Sequence, residues 1–122
     1  MKYILNLTQH PATADQAKAG VIEPNNKGVV QELLTFRSLP NTADISAAAG
    51  NLTMIAEDSG CDTAMIGGAP YLMRPLEEIL LRSGIQPVYA FSRRESVEET
   101  DANGNVLKSQ TFRHLGFVEV EI

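Results

Sequence analysis

Three places in this chain gather side chains able to hold or move charge. Ser92-Arg93-Arg94 follows the apolar run Pro87 to Phe91 and offers a hydroxyl and two guanidinium forks matched to phosphate oxygens. Gly67-Gly68 follows the run Thr63 to Ile66 and precedes Ala69-Pro70-Tyr71. Glycines there let the backbone approach a ligand closely, with the free amides of a following helix facing negative charge. Asn6-Leu7-Thr8-Gln9-His10 ends the first apolar run in hydrogen-bonding groups. His10 follows that run, and histidine as a residue type suits a general base or a phosphate donor.

Each place also has a plainer reading. Gly67-Gly68 serves equally as a tight turn, and a loop histidine such as His10 or His114 is commonly structural. Arg93 and Arg94 have Glu95, Glu98 and Glu99 nearby in sequence for surface ion pairs. Two successive strand residues point to different sides, so one arginine can face a ligand while the other pairs with an acid. Arg93, nearer the strand end, is the first choice for the ligand, with Arg94 as a further contact.

Around these residues the chain alternates strands and helices. Tyr3–Leu7 reads as a strand, and Thr13 caps a short helix Ala14–Ala19 that Gly20 stops. Pro24 to Gly28 is a loop. Val29–Leu34 fits a short helix running into extended chain, and pattern does not separate helix from strand there. Thr42 or Asp44 caps a helix ended by Gly60, with Ile45, Ala48, Ala49, Leu52, Ile55 and Ala56 at helical spacing. Thr63–Ile66 is a strand lacking alternation, as when both sheet faces are covered. Pro70 opens a helix carrying Leu72, Leu76, Ile79 and Leu80 on one face, with Pro75 in its first turn or so. Pro87–Phe91 is a strand that ends at Ser92. Glu95–Thr100 and Val106–Phe112 then flank the turn Asp101-Ala102-Asn103-Gly104-Asn105 as a hairpin. This pattern predicts a single α/β domain over 1–122: a small Rossmann-like three-layer fold, with a mainly parallel sheet and a C-terminal β-hairpin extension. Ligands of such sheets sit beyond the carboxyl ends of the strands, where strand order reverses.

Composition narrows the function. A formal net charge of −5 opposes binding to long nucleic acid, which needs a broad positive surface. It leaves room for a short phosphate-bearing ligand in a local basic pocket. No apolar run approaches the roughly 20 residues that span a bilayer, and the first residues lack a signal-peptide pattern, so a cytoplasmic protein without membrane partners is expected. The one cysteine, Cys61, allows neither an intrachain disulfide nor a cysteine-based zinc site and reads as a small buried or half-buried residue rather than a nucleophile. Glu57, Asp58 and Asp62 read as solvated acids, so no metal and no cofactor is expected.

These residues give the chain a resemblance to the small CRISPR-associated Rossmann-like proteins related to CARF domains and grouped with ring nucleases. It is carried by Asn6-Leu7-Thr8-Gln9-His10, by Gly60 to Gly68, by Gly84 to Glu95, by Gly104-Asn105-Val106 and by Phe112-Arg113-His114. The segment Gly67-Gly68-Ala69-Pro70 and the ending Gly116-Phe117-Val118 depart from the family pattern. The resemblance implies a homodimer that binds, and beyond binding cleaves, cyclic oligoadenylate second messengers in antiviral defence. It implies His10 as base, Ser92 or Thr8 as the orienting hydroxyl, and Arg93 with the Gly67–Gly68 amides taking the developing charge. Asn6, Thr8, Gln9, Gly67, Gly68, Tyr71 and Arg94 would be the ligand contacts. The competing readings are a non-catalytic dimeric sensor or interaction module, and an enzyme acting on another phosphorylated metabolite.

Overall fold

Local signals set most element boundaries. In the computed structural model, which describes residues 2–121, Thr13 starts helix α1 (Ala14–Lys18) through a reciprocal capping box with Gln16. The outermost residues of the expected 1–122 domain, Met1 and Ile122, lie outside the described residues. Helix α2 (Lys27–Leu33) is capped by Asn26, whose Oδ1 accepts from the Val29 amide, so Lys27 and Gly28 belong to a helix and not to the expected loop. Helix α3 (Thr42–Ser59) is capped by Asn41 and not by Thr42 or Asp44; Asp44 is the reciprocal partner that accepts from the Asn41 amide. Gly60 ends α3 in the left-handed conformation, at φ 78°, which a side chain would strain. Helix α4 (Pro70–Arg82) begins on its proline as expected. Pro75, however, is its sixth residue and withdraws the helical donor from the Tyr71 carbonyl.

The strands are β1 (Ile4–Leu7), β2 (Val21–Ile22), β3 (Thr63–Ile66), β4 (Gln86–Thr100) and β5 (Val106–Glu119). They form one curled five-stranded sheet in the order β2-β1-β3-β4-β5, parallel except for the antiparallel β4–β5 pair. The fold is thus mixed α/β, with the expected mainly parallel sheet and C-terminal antiparallel extension. β2 has two residues and gave no periodic signal.

Helices α2, α3 and α4 lie on one sheet face. Leu5, Leu7 and Ile66 meet Val30, Leu52, Ala56, Leu72, Leu76 and Leu80 there in the main core. Each fully buried leucine contributes about 1.5–3 kcal/mol of transfer free energy. The other face carries a smaller cluster, Val21, Met65 and Val88, covered by Ile4, Ala12 and Phe117. Its helix, α1, buries no residue, so cover on this face is thin.

β4 departs most from expectation. It does not stop at Phe91 but runs on through Ser92, Arg93 and Arg94 to Thr100, paired with β5. β3 pairs with β4 only as far as Val88, so from there on β4 and β5 leave the sheet as a two-stranded arm. A register shift between Phe91 and Ser92 marks the base of the arm.

Candidate functional site

Strand order reverses between β1 and β3: the chain steps from β1 outward to β2, then returns to the other side for β3 and β4. Neighbouring loops diverge at such a point and leave a crevice beyond the carboxyl ends of the two strands. Those ends lead into Thr8 and Gly67, and a β-carbon built on Gly67 would lie 3.6 Å from Thr8 Cγ2. Gly68 adopts φ 157°, and a β-carbon there would stand 3.3 Å from Met73 Cε and 3.6 Å from Leu34 Cδ2. Glycine therefore lets the turn sit close against the start of α4. No side chain caps that helix; Pro70 carries no amide hydrogen and the Leu72 and Met73 amides donate to the Ala69 carbonyl, so in the first turn the Tyr71 amide is the donor left without an intrahelical acceptor.

The β1 loop is shaped by Asn6, which is fully buried. Its Nδ2 donates to the His10 carbonyl at 2.9 Å and to Glu23 Oε1 at 2.9 Å, while its Oδ1 accepts from the Thr8 amide at 3.0 Å. Thr8 Oγ1 lies 2.6 Å from the same Oδ1. Asn6 thus spends its amide inside the protein and acts by setting the loop. Lys27 Nζ donates to the Thr8 carbonyl at 2.6 Å and pairs with Glu23 at 3.2 Å. Burial raises the pKa of the Glu23 carboxyl, but the Ala12 amide, Asn6 and Lys27 together hold it below the ordinary value of 4.5. Gln9 Nε2 donates to Thr35 Oγ1 at 2.8 Å, and Gln31 Nε2 donates to the Gln9 carbonyl at 2.9 Å, tying the loop to α2. His10 is exposed beside it, and among the described residues no hydrogen bond joins its imidazole to Ser92 or Arg93. Tyr71 is exposed on the first turn of α4, its ring 5.7 Å from that of Phe36.

Pairing on the arm settles where the two arginines go. Tyr89 lies on the helix side of the sheet, its hydroxyl donating to Glu77 of α4 at 2.6 Å; burial, with the Glu77 carboxylate, pushes that hydroxyl's pKa upward. By strand alternation Phe91, Arg93, Glu95, Val97 and Glu99 share that side. Arg93 is paired across the arm with Arg113, and both reach Glu95, at 3.3 Å and 3.9 Å. Glu95 thus sits between two guanidiniums, on the same side of the sheet as α4.

The opposite side carries Ser92, Arg94, Ser96 and Glu98. Ser92 is paired with His114, and Arg94 with Phe112, the guanidinium lying 5.4 Å from the ring centroid. The His114 ring packs 4.7 Å from Phe117, and its Nδ1 is buried without a hydrogen-bond partner among the described residues. Of the expected catalytic group, Arg93 therefore shares a side with Gly67–Gly68 and Tyr71, whereas Ser92 and Arg94 point away from it.

The chain belongs to the family described as Uncharacterized protein MJ1673 family, whose model matches residues 2–118. That span takes in the arm as well as the helical body, so both are part of the family pattern. No curated protein and no solved structure matches the chain.

Sequence reasoning did not find Glu23, Lys27 or Arg113. Glu23 ends a strand too short to show a pattern, and Arg113 matters only through its pairing with Arg93. A cavity of about 360 Å³ lies apart from the expected residues, lined by Glu23, Asn25, Asn26 and Asp58 over Ile22 and Ile55. Its two carboxylates suit a hydrogen-bond donor better than a phosphate. No group of three metal-ligating side chains occurs among the described residues.

Proposed function

We propose that the crevice at the β1–β3 reversal binds a phosphodiester-bearing nucleotide of the cyclic oligoadenylate class. The single observation that carries the reading is the placement of the Gly67–Gly68 turn and the start of α4 at the reversal of strand order, with Arg93 and Arg113 on the same side of the sheet. A glycine turn open to close approach and a guanidinium on the same side of the sheet favour a phosphate, and the exposed Tyr71 ring adds a stacking surface for a base. The same strand order supports a Rossmann-like three-layer reading of the domain, with α1 as the thinner layer. Among the described residues no helix is long and apolar enough to cross a membrane. The reading makes the protein a cytoplasmic reader of a soluble messenger in CRISPR-linked antiviral defence.

Cleavage is the further step. The ribose 2′-oxygen attacks the adjacent phosphorus, the bond from phosphorus to the 5′-oxygen breaks, and a 2′,3′-cyclic phosphate and a 5′-hydroxyl result. His10 takes the 2′-hydroxyl proton, water protonates the departing 5′-oxygen, and Arg93 with the turn amides holds the charge on the phosphorane. Thr8, next to Gly67, is better placed than Ser92 to orient the nucleophile. The second reading is a non-catalytic sensor, and it is favoured by the distribution of Ser92 and Arg93 over opposite sides of the arm.

Incubation with cyclic tri-, tetra- and hexa-adenylate in EDTA, followed by mass spectrometry and thermal-shift titration, separates the readings. Linear products ending in 2′,3′-cyclic phosphate are expected. A thermal shift without products leaves the sensor, and neither shift nor product removes the ligand class.

A further inference from the structure

A two-stranded ribbon without a third strand or a covering layer is marginal in water. The arm formed by β4 and β5 beyond Phe91 is such a ribbon, and it is long: pairing continues from Ser92–His114 to Thr100–Val106. On the side that points away from the helices, Phe112 is 69% exposed and Val106 59%. Arg94 lies against Phe112 and has no carboxylate within ion-pair distance among the described residues. Toward the tip of the same side, Glu98 meets only the exposed Lys108, at 3.7 Å. The side thus runs from Arg94 and Phe112 at its base to the Glu98–Lys108 pair toward its tip, with Ser96 and Gln110 paired between them.

That order is self-complementary. A two-fold axis in the plane of contact, passing through the Ser96–Gln110 pair and perpendicular to the strands, reverses one arm over another. It sets Arg94 against the partner arm's acid at position 98, and Phe112 against the lysine stem at position 108. The small polar centre falls on the axis, where each residue meets its own copy. The geometry points to a second copy of this chain as the occupant: two arms pack antiparallel through the side bearing Ser92, Arg94, Ser96, Glu98 and Phe112. Isologous contact of this kind closes as a dimer and goes no further. It buries the exposed Phe112 and Val106, gives Arg94 the carboxylate it lacks, and supplies the ribbon with its missing layer. The other side of each arm, with Arg93 and Arg113, stays outside the contact. The inference stands on the arm alone and does not require the nucleotide reading.

A charge exchange tests it. Sedimentation equilibrium of the full chain over a concentration series is expected to approach twice the chain mass of 13.2 kDa. Arg94→Glu and Glu98→Arg each place like charges at both ends of the contact, and each variant alone is expected to sediment as a monomer that keeps the helical circular dichroism signal of the body. Mixed in equal amounts they are expected to form a heterodimer, because every contact then joins opposite charges. A wild-type monomer at all concentrations overturns the proposal. So do variants that dimerise as the wild type does, or a mixture that remains monomeric.

Discussion

The helical body and the β4–β5 arm solve the problem of staying folded in opposite ways. In the body, three helices close over one sheet face, and Leu52, Leu72, Leu76 and Leu80 are withdrawn from water. In the arm, cross-strand pairs are the whole structure, and Phe112, Val106 and Leu107 remain more than half exposed. A body that folds by its own burial can carry a fixed turn such as Gly67–Gly68. An arm that buries almost nothing is free to place charge on both sides, Arg93 and Arg113 on one and Arg94 on the other. Adjacent arginines end up with different work because strand alternation separates them.

Substitution in the two regions exposes the contrast most sharply. Leu72→Ala removes a fully buried side chain from the main core and is expected to cost about 2–5 kcal/mol in chemical denaturation. Leu107→Ala, at an exposed arm position, is expected to change the same measurement by no more than about 0.5 kcal/mol. Equal losses would mean that the arm is part of the cooperative unit.

A smaller effect sharpens the account of the body. The Glu23 carboxyl has its pKa lowered in the folded chain, so its contribution is present above the ordinary carboxylate range and is lost as pH falls through the folded value. The thermal midpoint of the wild type is therefore expected to drop more steeply below about pH 4.5 than that of Glu23→Gln. Parallel curves would show that the Asn6–Glu23–Lys27 network contributes nothing through charge.

Much of the body could be read from residues. Thr13, Gly20, Gly60 and Pro70 bound their helices because caps and stops act locally, within three or four residues of chain. Gly67–Gly68 stood out because a strand, a turn and a helix start follow one another there. The arm was misjudged for a physical reason. Serine and arginine after an apolar run look like a strand end, but a two-stranded ribbon exposed on both sides needs no apolar alternation to persist. Which of Arg93 and Arg94 lies on the helix side of the sheet, and that Arg113 stands beside the former, depends on cross-strand register. Register is fixed by the hairpin turn and the irregularity at Phe91–Ser92, neither of which local composition places. Asn6 likewise carried the signal of a ligand contact, yet its partners Glu23 and His10 are brought to it by the fold and consume its amide.

The separation of the two arginines is the central claim, and isothermal titration of cyclic tetra-adenylate into three proteins tests it most directly. Arg93→Ala is expected to weaken binding by about 10- to 100-fold, the range of a lost charge-assisted phosphate contact. Arg94→Ala is expected to stay within about threefold of the wild type, less than 1 kcal/mol at the tenfold-per-1.4 kcal/mol scale. A large loss at Arg94 with little at Arg93, or equal affinity in all three proteins, would contradict the placement of the ligand on the helix side of the arm.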